Sequence, residues 1–134
     1  MNSSRAAYIT FAEFHTGMAL GKSTQVLGQE LLDSWYRIYG SGGSARFVPT
    51  ALIMVLIMRS YMEAVGPRPP GNIHAGQSLS VHGSIGIGDE IETSFSCGSK
   101  EHKRHHFVTL DTRSVRLSDN SLIATGAMTM IWAQ

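Results

Sequence analysis

Pro49-Thr50-Ala51-Leu52-Ile53-Met54-Val55-Leu56-Ile57-Met58-Arg59-Ser60-Tyr61-Met62-Glu63-Ala64-Val65-Gly66-Pro67 is the stretch on which the fold turns. Thr50 suits a helix N-cap, or Pro49 the first helical turn. The helix runs from about Ala51 to Val65, and Gly66-Pro67 stops it. From Ala51 to Met58 every residue is apolar. A helix with no polar face is buried on all sides. Arg59, Ser60 and Glu63 show that its far end emerges. Met54, Met58 and Met62 stack at i, i+4 spacing. Core filling is the preferred reading of that stripe, ahead of contact with a ligand.

Before this helix, Lys22 to Leu27 alternates weakly and suits a first strand. Leu31, Leu32, Trp35, Ile38 and Tyr39 then fall at helical spacing and give a second helix one apolar face. Gly40-Ser41-Gly42-Gly43-Ser44 breaks it. Tyr8 to Phe14 reads as a short strand or a loop packed on the body. After Pro67-Arg68-Pro69-Pro70-Gly71 the pattern changes to period two. Ile73–His82, Glu90–Cys97, His106–Arg116 and Leu122–Trp132 read as strands joined by three successive hairpins. Gly86–Asp89, Gly98–Arg104 and Ser118-Asp119-Asn120 supply the turns. A buried helix followed by antiparallel strands needs the sheet to wrap it, which makes an α+β sandwich.

Composition narrows the class. The chain has 134 residues, enough for a single domain spanning 1–134. A chain of this size buries roughly two-thirds of its unfolded surface. A formal net charge of +1 argues against a nucleic-acid protein held by bulk charge. Charged residues make up 16%, against about 25% in average domains, which points to a subunit interface. The single Cys97 permits no intrachain disulfide and fits a reducing compartment. The apolar run is far short of the ~20 residues of a membrane helix, and the first residues do not read as a secretory signal. A soluble, cytoplasmic protein with no membrane contact is expected.

A helix wrapped by an antiparallel sheet is the hot-dog architecture, and the chain resembles the MaoC-like branch of that superfamily. That branch includes enoyl-CoA hydratases and hydroxyacyl-thioester dehydratases. The resemblance rests on Phe11-Ala12-Glu13-Phe14-His15-Thr16-Gly17, on Thr24 to Gly40, on Pro49 to Val65, on Leu79 to Asp89 with its Gly86-Ile87-Gly88-Asp89 ending, and on Ser121 to Trp132. It implies an α+β hot-dog fold, an acyl-thioester or similar small-molecule substrate, no metal and no cofactor. It also implies a dimer or a pair of dimers, either a homodimer or a heteromer with another hot-dog subunit.

One departure matters. Hydratases of this family carry an Asp, an Asn and a His in the loop after the first helix, with Asp and His as base and acid. Residues 40–48 here contain neither Asp nor His. A family glycine that offers its N–H to the thioester oxygen is replaced by Pro49-Thr50, and Pro49 has no N–H. The standard pair is therefore not carried over. Tyr39, Ser41 and His74 are the substitute catalytic candidates. Arg46, Pro49, Thr50, His82, Lys103 and Arg104 are the candidates for holding substrate. His74 and His82, eight apart on one strand, are expected to share a face. His102, His105 and His106 suit a solvated hairpin tip or an anion site, such as one for a coenzyme A phosphate. A metal is disfavoured there because His105 and His106 point apart and Lys100, Lys103 and Arg104 repel it. Asp89 reads as a turn former and Cys97 as a small buried hydrophobe. Two further readings stay open: a catalytically silent subunit of a hot-dog heteromer, and an enzyme acting on a non-CoA, polyketide-like intermediate.

Overall fold

The structure, a computed structural model, describes residues 8–40 and 48–134. After a 3-10 turn at Phe11–Glu13 come β1 (Ala19–Val26), α1 (Gln29–Tyr39), α2 (Ala51–Ala64), β2 (Ile73–Val81), β3 (Glu90–His102), β4 (His106–Arg116) and β5 (Ser121–Ile131). The strands form one antiparallel sheet in the order β1-β3-β4-β5-β2. The sheet packs on α2, as the α+β hot-dog reading requires.

The concave face is written in the alternation. Ile91, Thr93, Phe95 and Cys97 of β3 are buried, as are Val108, Leu110, Thr112 and Ser114 of β4. From α2, Leu52, Ile53, Leu56, Ile57, Ser60 and Tyr61 meet them. Each fully buried Leu or Ile contributes about 1.5–3 kcal/mol of transfer free energy. Thr93 and Ser114 share a buried 2.7 Å hydrogen bond across β3 and β4, which settles both hydroxyls.

Edge strand β1 is tied to α2 by polar contacts. The Ser60 hydroxyl donates to Ser23 O at 3.3 Å, and Ser23 and Gln25 side chains donate to the Glu63 carboxylate. Closest approach falls at Gly21, with φ +137, where a Cβ would lie 2.6 Å from Ala64 O.

Two expectations are corrected. The helix Ala51–Ala64 is not buried on all sides: Met54, Val55 and Met58 are half-buried, and Ala51 and Met62 are exposed. Its sheet-facing side alone is dry, because one five-stranded sheet covers only one side of a cylinder. Nor do the last four strands make three hairpins. Only β3-β4-β5 is a meander; β2 crosses to the far edge and pairs with β5. Alternation assigns faces, and partner choice follows from which edges remain once the central hairpins close.

The turns at Gly86–Asp89 and Ser118–Asn120 hold as read, whereas Gly98–Arg104 does not: β3 runs on to His102 and pairs with β4 up to His106, leaving only 103–105 as the tip. Asp89 accepts from Gly86 N at 2.8 Å and from the Arg116 guanidinium at 3.4 Å. Beyond β4, Asp119 accepts two bonds from Arg116, each 3.1 Å, and one from Ser121 N at 3.0 Å. Those bonds from Arg116, then Ser121, bring the Asp119 carboxyl down to about 2 from 3.8. A depressed folded-state pKa gives stability that is full above the unfolded value and is lost as pH falls through the folded one. Asp119→Asn should therefore flatten the loss of melting temperature between about pH 4 and pH 2. Equal acid slopes for variant and parent in a melting series would contradict this.

Candidate functional site

The register divides the sheet into two ends. At one end lie the β3–β4 tip and the start of β2, where Glu101 pairs with Phe107, Phe107 with Ile131 and Ile131 with Ile73. Ser60 of α2 touches Ser23, level with Thr93 and Ser114, and Ala64 touches Gly21, level with Phe95. The N-terminus of α2 therefore points to the other end, toward Ile91 and Arg116.

Pro49 and Thr50 lie at that N-terminal end, and Tyr39 lies at the close of α1. α1 closes at Gly40, whose N–H bonds Tyr36 O at 2.8 Å. Tyr39 is 67% exposed, and its ring packs on Trp35 with centroids 4.4 Å apart. Its hydroxyl is thus on an ordered ring that opens to solvent. Ser41 and Arg46 lie outside the described residues, in the segment joining Gly40 to Val48. Pro49 O and Thr50 O accept from Leu52 N and Ile53 N, each at 3.0 Å, so both residues shape the first turn of α2. Thr50 occupies the N-cap position in helical conformation, and its side chain makes no capping bond. Thr50 is exposed.

The two β2 histidines are separated. A bulge between His74 and Gly76 shifts the register, and this breaks the period-two rule. His74 pairs with buried Met130, on the concave side, and its Nε2 meets Gln77 Oε1 at 3.0 Å. His82 lies beyond the strand on the convex side, its Nε2 3.1 Å from the Thr125 hydroxyl. The expectation of a shared face is overturned. His74 also sits near the tip end of the sheet, away from the first turn of α2. Gln77 and Thr125, the partners that fix these rings, were not singled out in the sequence; an intervening bulge leaves no periodic signal.

At the tip, the cations part company. Lys103 pairs with Glu101 at 3.4 Å. Arg104 instead lines a separate cavity of about 420 Å³ with His102, His105 and His106. The His106 ring stacks on Phe11 at 4.2 Å, and Lys100 Nζ sits 4.7 Å from the same ring. No group of three His, Cys, Asp or Glu side chains among the described residues is placed to hold a metal. Cys97 is buried, and burial pushes its thiol up, which makes it a poor nucleophile.

Two open surfaces complete the inventory. Along α2, Ala51, Met54, Val55, Met58, Arg59 and Met62 line an apolar groove of about 490 Å³. The methionine stripe is thus only partly core filling: Met54 and Met58 pack on the core with one side in the groove, and Met62 is exposed. Strand β2, an edge of the sheet, bears no Lys, Arg, Asp or Glu, and Ile73 and Val81 are 55% and 43% exposed. No helix is long and apolar enough to cross a membrane among the described residues.

No protein-family model matches the sequence, and no curated protein matches it. Solved structures do. A MaoC-like dehydratase from Rhodospirillum rubrum superposes with TM-score 0.76 at 12% identity, covering 94% of this chain and 98% of that one. R-hydratase PhaJ1 from Pseudomonas aeruginosa gives 0.75 at 18%, covering 93% and 86%. HadBC, a 3R-hydroxyacyl-ACP dehydratase complex from Mycobacterium tuberculosis, gives 0.66 at 15%, covering 87% and 96%. With its sheet order, its central helix and these superpositions, the chain adopts the hot-dog fold in the form seen in MaoC-like hydratases and dehydratases.

Proposed function

We propose that the chain handles acyl thioesters as a hydratase or dehydratase with a rearranged site at the first turn of α2. One observation supports this reading: the chain superposes over nearly its whole length on a MaoC-like dehydratase and an R-hydratase. Thr50 and Ala51 supply backbone N–H groups for the thioester oxygen in place of the missing glycine. Tyr39 supplies the proton-donating hydroxyl, with Ser41 and Arg46 in the adjoining loop. His74 belongs to the same reading only across a subunit boundary, given its place at the far end of the sheet.

The active unit is a dimer built on β2. Natural edge strands are protected by charge, and β2 has none over its whole length. β1, the opposite edge, carries Lys22. Two β2 edges pairing antiparallel would extend the sheet and bring the two methionine-rimmed faces of α2 together. A homodimer is the default, and a heteromer with a second hot-dog subunit is the alternative; the HadBC relative is a complex.

Purified chain should hydrate short trans-2-enoyl-CoA esters, followed by loss of the conjugated thioester absorbance. Tyr39→Phe should lower kcat by about 10²-fold or more. Absence of turnover would remove the CoA-ester hydratase reading and favour the silent subunit, which the lack of Asp and His in residues 40–48 independently supports. A stable mixed complex with a hot-dog subunit that carries both residues would then identify it. An enzyme on a non-CoA substrate predicts neither turnover nor such a complex.

A further inference from the structure

Three connections lie at the end of the sheet opposite the β3–β4 tip: 27–28 between β1 and α1, 82–89 between β2 and β3, and 117–120 between β4 and β5. One side chain, Arg116, bonds directly to two of them. Its Nε and Nη2 donate to the two carboxylate oxygens of Asp119, each at 3.1 Å. Its Nη1 donates to Ser84 O at 2.8 Å and to Asp89 Oδ2 at 3.4 Å. Asp89 Oδ2 also accepts from Gly86 N at 2.8 Å, so the guanidinium and the turn share one carboxylate. The Arg116 side chain is only 22% exposed, which leaves water little room to take its place.

The third connection is held through the second. Leu27 N donates to Asp89 O at 3.0 Å, and Leu27 O accepts from Gly88 N at 2.8 Å. Leu27 is the last residue before Gly28, the N-cap of α1. Gly28 has no side chain with which to cap the helix, and a Cβ there would meet nothing within 4 Å. The two bonds to Leu27, with its buried side chain, therefore fix the pivot from which α1 starts. α1 then runs out to Ile38 and Tyr39, both exposed. The sheet itself does not need the guanidinium. Arg116 pairs with Ile91 and Ser121 through its backbone, whatever its side chain, and the buried core is apolar. Four bonds from one charged group go instead to loops.

We propose that Arg116 is a positioning residue. It locks the turn at 84–89, through that turn the root of α1, and through α1 the place of Tyr39. The last step rests on the reading of Tyr39 as proton donor; the lock on α1 does not. A helix held at its root swings most at its far end, so slack at Leu27 is felt at Tyr39, where a displacement of about 1 Å can cost about 100-fold in rate.

Hydrogen exchange of the full chain, read by mass spectrometry, tests the lock. In Arg116→Ala the backbone amides of 27–39 and 84–89 should exchange at least about tenfold faster, the effect of losing a charge-assisted contact on local opening. Those of 93–97 and 108–112 should keep their rates. Arg116→Lys retains the charge without the fork and should restore part of the protection. Acrylamide should reach half-buried Trp35 more readily in Arg116→Ala, while Trp132, 2% exposed, stays shielded. In the hydration assay kcat should fall about tenfold or more, with KM within about twofold of the parent. Faster exchange at 27–39 in a chain whose parent shows no turnover supports the lock and removes the reaction, so the two readings fall separately. Unchanged exchange at 27–39, or equal acceleration throughout the chain, would overturn the proposal. So would a parent-like kcat in a variant whose α1 exchanges faster.

Discussion

Gly21→Val should lower the melting temperature by about 10 °C or more. Two costs add at this position. The backbone at φ +137 lies where side chains other than glycine are strained by roughly 1–3 kcal/mol. A Cβ there would also sit 2.6 Å from the carbonyl oxygen of Ala64, an atom of helix backbone that cannot rotate away. Forcing extra atoms into a packed contact typically costs a further 1–3 kcal/mol or so. Together about 3–4 kcal/mol is a large share of the roughly 5–15 kcal/mol that holds a domain together. The contact joins the C-terminal end of α2 to the edge strand β1, so the damage is to the wrap of sheet on helix. A thermal melt of the variant within about 3 °C of the parent would show that the two elements separate at little cost.

Met58→Asp should abolish self-association and leave the isolated fold largely intact. Met58 is half-buried on the open side of α2, between Met54 and Met62. In one copy a carboxylate there can reach water. Against a second copy it would be trapped without a partner, at a cost of about 3 kcal/mol or more. Since 1.4 kcal/mol is tenfold, the dissociation constant should rise by at least about 100-fold. Sedimentation at micromolar concentration would read this directly. A variant that sediments as the parent does would remove the α2 face from the interface.

The same helix marks the boundary of what the sequence could reveal. Its existence, length and stop were legible because eight apolar residues precede a Gly-Pro break. That it is covered on one side only was not legible. An apolar side chain waiting for a second chain looks the same in sequence as one facing its own core, since both end up dry. The 16% charged fraction does not say which face is left open. The uncharged run Ile73–Val81 was legible, and that it forms an edge of the sheet was not. α1 repeats the lesson: Leu32 is buried as its spacing asks, whereas Ile38 and Tyr39, on the same expected face, are 72% and 67% exposed.

Face assignments failed where the backbone departed from its ideal period. One bulge after His74 was enough to send His74 and His82 to opposite sides of the sheet. The tip residues separated for a different reason. Lys103 has an acidic neighbour within reach and Arg104 does not, a distinction of side-chain direction that neither composition nor spacing encodes. Pro49 and Thr50 were readable as the start of α2, and Tyr39 as the close of α1 before the glycine-rich break, from local sequence signals alone.

The sheet order has a consequence for how the chain reaches its native state. The three inner strands are neighbours in sequence, and β4 follows β3 after a turn at 103–105. Both outer strands are made before their partners: Gln25 pairs with Ile91, and Gln77 with Met128. Each must therefore wait, unpaired, while the ribosome delivers its partner. For β1 the delay is brief once β3 emerges. β2 needs β5, the final strand, and even then keeps one side free. The uncharged edge strand is thus also the one longest at risk of a wrong pairing before the last strand is laid down.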